Sequence, residues 1–154
     1  MTVGRAGPRD ASIVGALIAR FFSEEDFVGE LAVVAARAAG FLEDDHNAAF
    51  LAWEGSEPVG VATVTTTSGF EMGRYAELED LYVVPEQRRR GVARALVDAA
   101  VVWAGSVGCS AMEIVVTPDG DERHGLGAWY RSIGFAETAR RILQRFTAEA
   151  AEGE

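Results

Sequence analysis

The chain has a single cysteine, Cys109, so no disulfide can close within it; such cysteine usage fits a reducing cytoplasm. Cys109 follows Gly108 just ahead of an apolar run, and reads as a packed thiol rather than a nucleophile. Histidine is almost as scarce. His46 and His124 stand apart with no cysteine partner, so no metal is expected. No apolar run approaches the ~20 residues that a membrane span requires, and Met1-Thr2-Val3-Gly4-Arg5 carries no apolar leader. Positive charge is also in deficit: 14 Lys and Arg against 24 Asp and Glu give a formal net charge of −10. A surface of that sign repels nucleic acid and anionic lipid, and it draws cations, amines among them.

What is present is enough for one core. The chain has 154 residues, 49% of them apolar, without an internal repeat or linker. Residues 2 to 6 read as a short strand. Pro8-Arg9-Asp10 opens a helix on which Ile13, Val14, Leu17, Ile18, Phe21 and Phe22 recur at helical spacing. Ser23-Glu24-Glu25-Asp26 reads as the start of a second helix, which Gly40 closes. Asn47 to Trp53 and Pro58 to Thr67 form a hairpin around Glu54-Gly55-Ser56-Glu57, and Ala76 to Val84 is the next strand. A helix from Val92 to about Ala104, a strand from Ala111 to Thr117, a polar loop at Pro118 to Glu122 and a short helix from His124 to Ile133 follow. Thr138 to Phe146 reads as a final strand, although its composition would also suit a helix. Helices between blocks of strands make this a mixed α/β (α+β) layer rather than an all-parallel sheet. The expected organisation is one domain over 1–147 and an acidic tail over 148–154.

One stretch carries chemistry. Val84-Pro85-Glu86-Gln87-Arg88-Arg89-Arg90-Gly91-Val92-Ala93-Arg94 joins a strand to a helix through a basic turn that ends in glycine. The first N–H groups of a helix lack partners within it, and the helix dipole favours negative charge there. Gly91 and Ala93 keep side chains out of the way of a diphosphate, and three arginines screen its charge. The turn lacks the Gly-Lys-Ser/Thr ending of a nucleotide P-loop.

Arg88-Arg89-Arg90-Gly91-Val92-Ala93 after Leu81-Tyr82-Val83-Val84-Pro85, followed in order by Trp129-Tyr130-Arg131-Ser132-Ile133-Gly134-Phe135, resembles the GCN5-related N-acetyltransferase (GNAT) superfamily. The likeness extends over nearly the whole chain. Leu78-Glu79-Asp80-Leu81-Tyr82-Val83 is similar to the matching strand of spermidine/spermine acetyltransferases, and the acidic loop before the tyrosine helix is loosely similar to aminoglycoside acetyltransferases. The resemblance implies a twisted, mostly antiparallel sheet of six or seven strands with about four helices, in the order β-α-α-β-β-β-α-β-α-β. It implies acetyl-CoA as donor, with no metal, and a homodimer is common among relatives. It assigns cofactor binding to Leu81, Tyr82, Val83, Arg88, Arg89, Arg90, Gly91, Val92, Ala93, Arg94 and Tyr130. Arg123 stands where many relatives have Asn.

The chemistry sets the remaining expectations. A lysine-like amine has a pKa near ~10.4, so holding it neutral at pH 7 costs about 4–5 kcal/mol. A carboxylate, directly or through water, can take that proton. Glu79 is the first choice as base, Glu77 the second; in a regular strand they share a face, and Asp80 takes the other unless a bulge intervenes. Glu77, Glu79 and Asp80 are the expected substrate-site acids. Tyr130, by resemblance, protonates the departing thiolate, a transfer uphill by roughly 2 kcal/mol between ordinary pKa values. The expected activity is transfer of an acetyl group to a small cationic amine, a polyamine or aminoglycoside, in a ternary complex. The alternatives are a non-catalytic acyl-CoA sensing module and acetylation of a protein N-terminus or lysine.

Overall fold

A computed structural model describes residues 1–148; beyond Ala148, the expected acidic tail lies outside the described residues. The chain divides into two compact units, Met1–Thr117 and Pro118–Glu154.

The first unit holds the sheet. Strands β1 (Thr2–Arg5), β2 (Asn47–Glu54), β3 (Glu57–Gly69), β4 (Gly73–Val83) and β5 (Met112–Ile114) lie side by side in sequence order. The first four are antiparallel, and β5 joins β4 in parallel. Alternation along β3 decides what lies on each face. Gly60 faces Val92 and Leu96 of α3 (Val92–Ser106). The next residue, Val61, pairs with Tyr82, whose ring stacks on Phe21 of α1 (Ala11–Glu24) at 5.5 Å. Helices α3 and α1 therefore cover opposite faces. Val92, Leu96, Val97, Ala100, Trp103 and Ala104 are the buried stripe of α3, and Val14, Leu17 and Ile18 that of α1. Helix α2 (Leu31–Glu43) packs on α1 where Gly15 meets the backbone of Ala35.

The boundary between α1 and α2 differs from the sequence expectation. Ser23 and Glu24 complete α1 instead of opening α2, because the apolar stripe runs on through Phe21 and Phe22, the latter against Phe27. Helix α2 begins at Leu31 and passes through Gly40 to Glu43. Gly40 is exposed with nothing near it, so it keeps a helical conformation, and Asn47 Nδ2 donates to the Phe41 carbonyl near the helix end.

The second unit contains α4 (Pro118–His124) and α5 (Leu126–Ser132). Pro118 to Glu122, expected as a loop, is helical. Pro118 is its first residue, Asp119 and Asp121 lie in its first turn, Arg123 and His124 in its last, and Arg123 pairs with Asp119 one turn away. No strand forms over 138–146. Ile142 and Leu143 are neighbours, yet both are exposed, so the alternation that would bury one face is absent. The described residues thus have five strands and five α-helices, not six or seven and four.

Candidate active site

Strands β3 and β4 fall out of step at one residue. Thr65 faces Glu77 and Val64 faces Leu78, but the next residue, Thr63, faces Asp80. Glu79 is the unpaired extra residue of a β-bulge. The interruption reverses the alternation, so Asp80 shares a face with Glu77 instead of opposing it. Thr63 Oγ1 donates to Asp80 Oδ2 at 2.5 Å, and Thr65 Oγ1 donates to Glu79 Oε1 at 2.6 Å. Three carboxylates are gathered on the face that α1 partly covers. Glu79 is exposed, while Glu77 and Asp80 are half-buried. Burial raises the Asp80 carboxyl above its ordinary range; the Thr63 hydrogen bond offsets part of that, and the Glu79 charge adds to it. Glu77 is also raised, first by burial and then by the charges of Glu79 and Glu113.

Beside this group the sheet opens. The β4–β5 ladder pairs Ala76 with Met112, Glu77 with Glu113 and Leu78 with Ile114, and then stops. Beyond Leu78, β4 continues to Val83 with no strand on that side among the described residues. The Val84 N–H donates to the Val59 carbonyl. By alternation, the main-chain groups of Tyr82 also face β3, and those of Leu81 and Val83 face the open edge. Of the three residues expected to meet a pantetheine arm, Leu81 and Val83 turn main-chain groups to the open edge, the Val83 carbonyl accepting from Arg88 Nε, while Tyr82 turns its main chain to β3 and its ring into the core.

A 3-10 turn, Pro85–Gln87, then leads to α3. Gly91, at φ 81°, is the left-handed N-cap, a conformation that glycine adopts without strain, and no side chain caps the helix. The N–H groups of Val92, Ala93 and Arg94 are consequently left without intrahelical partners at the start of a 15-residue helix. Arg89 and Arg90 are exposed, with Arg90 Nη1 donating to Gln87 Oε1, and Arg94 pairs with Asp98 one turn on. Arg88 turns inward. Its Nε donates to the Val83 carbonyl at 2.9 Å, its Nη2 donates to Glu24 Oε2 at 2.6 Å, and its guanidinium lies 5.7 Å from the centre of the Tyr82 ring.

Glu24, at the end of α1, is a site residue that the sequence reading missed. Its Oε1 accepts from the Tyr82 hydroxyl at 2.5 Å while its Oε2 holds Arg88. Burial opposes ionisation of Glu24, but the hydrogen bonds from Tyr82 and Arg88 and the charges of Arg88 and Arg20 outweigh it, and the carboxyl sits below its usual range. Burial and the Glu24 bond push the Tyr82 phenol up to about 12. Thr63 and Thr65 were missed too. The alternation of a Val/Thr-rich strand marks them only as ordinary strand residues.

In the second unit, Tyr130 of α5 is buried between Trp129 and Phe135, at centroid distances of 4.9 and 5.3 Å, both edge-on. Burial alone pushes its phenol up to about 12. Asp121 Oδ1 accepts the Gly127 N–H and so caps the first turn of α5.

Residues 12–135 match the acetyltransferase (GNAT) family. The chain belongs to this family. Its sequence is similar to the aminoglycoside N(6')-acetyltransferase type 1 of Salmonella typhimurium, 30% identical over 108 residues that cover 68% of this chain and 72% of that one. The enzyme of the same name from Stenotrophomonas maltophilia is 33% identical over 113 residues, covering 70% and 72%. Among solved structures, AAC(6')-Iy in complex with a bisubstrate analog, CoA-S-monomethyl-acetylneamine, superposes with a TM-score of 0.79 at 22% identity, over 96% of this chain and 98% of that one. A soil metagenomic aminoglycoside acetyltransferase, meta-AAC0020, in complex with sisomicin gives 0.76 at 16% identity, covering 95% of each. The GNAT chain has the family's α+β fold, and it is an N-acetyltransferase that draws on acetyl-CoA. Its residues suit that donor: an uncapped helix start suits a diphosphate, and an open strand edge suits an amide-bearing arm. No helix among the described residues is long and apolar enough to cross a membrane.

Proposed function

We propose that this acetyltransferase moves the acetyl group of acetyl-CoA to an amino group of an aminoglycoside, by direct attack in a ternary complex. The observation that carries the acceptor class is the bulge at Glu79, which sets Glu77, Glu79 and Asp80 together beside the open edge of β4. An aminoglycoside is a rigid polycation, and a carboxylate group on a chain of net charge −10 suits it. The curated relatives carry that activity in their names.

The thioester supplies an acetyl group already activated for transfer. Val92, Ala93 and Arg94 offer main-chain N–H groups to the pyrophosphate, with Gly91 giving clearance and Arg89 and Arg90 screening charge. The Leu81 main chain and the Val83 N–H pair with the pantetheine arm as an added strand would, the Val83 carbonyl staying with Arg88, and a main-chain N–H near the break in the β4–β5 ladder polarises the thioester carbonyl. Glu79, exposed and steadied by Thr65, takes a proton from the incoming ammonium, directly or through water. Asp80 and Glu77, both raised in pKa, hold negative charge and proton affinity behind it. The amine nitrogen then bonds to the acetyl carbon, the carbon–sulfur bond breaks, the thiolate leaves, and the nitrogen gives up its second proton to the thiolate or to solvent, leaving a neutral amide. Tyr130 keeps the role that the family resemblance implies. With its phenol near 12 against a thiol near ~8.5, full transfer is uphill by roughly 5 kcal/mol, so its service to the thiolate is chiefly a hydrogen bond. Residues 1–147 act as one catalytic domain, in the cytoplasm, as a homodimer.

A thiol-release screen with acetyl-CoA against aminoglycosides, polyamines and short peptides tests the reading. Release is expected with aminoglycosides, with the acetyl group on the 6'-amine, and Glu79→Gln should lower kcat by about a hundredfold, within the usual range for an acid–base residue. Turnover confined to peptides would make the protein a protein acetyltransferase. Coenzyme A binding by calorimetry with no turnover of any amine would make it a sensing module.

A further inference from the structure

Helix α1 grips the phosphate turn at two points of opposite polarity. Arg20 reaches Glu86 at 3.5 Å, and Glu24, one turn further along α1, reaches Arg88, two residues further along the turn, at 2.6 Å. Both pairs are reached by solvent, and the first, the longer of the two, is worth little alone. The second belongs to a network in which each partner has further work. Glu24 also accepts from Tyr82, Tyr82 stacks on Phe21, and Arg88 also donates to the Val83 carbonyl. A carboxylate at the C-terminal end of a helix faces the negative end of its dipole, a poor place unless a cation answers it. Here Arg88 answers it.

The network acts on the turn through Arg89. Its φ of 62° is left-handed, a conformation costing a non-glycine residue about 1–2 kcal/mol. Strain of this kind persists when the neighbours dictate it. On one side Arg88 is anchored at two atoms; on the other Gly91 is set as the N-cap. We propose that Glu24 is a positioning residue for the donor site: it locks Arg88 as a strut, and the strut holds the main chain of Arg89 to Arg94 in its binding conformation before the donor arrives. Arg88 then serves the diphosphate through geometry rather than contact. Preorganisation of this kind acts on affinity, because the ordering cost is met at folding. The inference rests on the reading of this turn as the diphosphate site.

The test is calorimetry with coenzyme A on the full chain, with steady-state kinetics beside it. Glu24→Gln keeps the shape and an acceptor for Tyr82 but removes the charge. It should weaken coenzyme A binding about tenfold, equivalent to about 1.4 kcal/mol. The KM for acetyl-CoA should rise with it, while kcat at saturation stays within about twofold, the signature of lost uniform binding. Arg88→Gln should do the same, and the double variant should be no weaker than the Arg88 single, since both changes remove one strut. Coenzyme A affinity unchanged in Glu24→Gln, or losses that multiply in the double variant, would overturn the proposal. Ala93→Asp separates the two readings. It sets a carboxylate at the start of α3 and should abolish binding; if it does not, the diphosphate site itself is misplaced and the strut has nothing to position.

Discussion

Half-buried and hydrogen-bonded by Thr63, Asp80 holds its proton more tightly in the folded chain than in an unfolded one. Its folded pKa lies above the ordinary 3.8, so what it contributes to stability is present below that value and is lost as pH rises through the folded pKa. Above the ordinary value the carboxyl is therefore a liability to folding. Asp80→Asn, which still accepts from Thr63, should melt higher than the parent at pH 7, and the gap should close as pH falls toward 4. Thermal melts across that range read it directly, and equal melting at every pH would contradict it. Glu24 has the opposite sign: its lowered pKa makes it stabilising above about 4.5, and that contribution is lost on acidification. At this scale the sequence revealed residue types better than directions. Glu79 and Asp80 were legible as acids on a strand, yet which face each takes depends on a bulge that no local pattern announces. Arg88 was legible as a cation of the turn. Its inward bond to Glu24 spans 64 residues, and Ser23-Glu24-Glu25-Asp26 imitates a helix start closely enough to hide the partner.

At the scale of elements, the close crossing of α1 and α2 is the most sensitive joint. A Cβ on Gly15 would come within 2.7 Å of the Ala35 carbonyl oxygen, and backbone cannot swing aside as a side-chain tip can. Alanine ordinarily favours a helix by about 1 kcal/mol over glycine. Here overpacking of about 1–3 kcal/mol should outweigh that gain. Gly15→Ala should lower the urea midpoint without changing the slope, whereas Gly40→Ala, in open space on α2, should raise it. The elements legible in the sequence were those with their own punctuation. The β2–β3 hairpin turns at Gly55 with φ 60°, and Gly91 starts α3. Those that escaped depend on neighbours: α2 runs past Gly40 because nothing there requires a stop, and 138–146 lacks an alternating face to bury.

For the whole molecule, charge dominates. An acceptor carrying several ammonium groups approaches a body of net charge −10, and salt screens that attraction over about 8 Å at physiological ionic strength. The kcat/KM for a polycationic acceptor should fall as salt rises, and it should fall less for a monoamine; equal slopes would remove the steering argument. Every one of the 14 basic residues is arginine. The chain therefore offers its own donor no side-chain amine, and mass spectrometry after incubation with acetyl-CoA alone should find at most an acetylated N-terminus. Family membership was the most legible property, because two motifs fell in order on elements of the right type. The acceptor was the least legible, since it is read by acids whose grouping forms only when β3 and β4 pair.

That pairing has one rung fewer than β4 has residues to fill it. Remove Glu79 from the chain, and Leu78 opposite Val64 would be followed at once by Asp80 opposite Thr63, with Tyr82 still opposite Val61. Deletion is ordinarily the roughest edit a strand can receive. In this protein it would mend the ladder, excise a single acid and leave every other partnership in the sheet as it was.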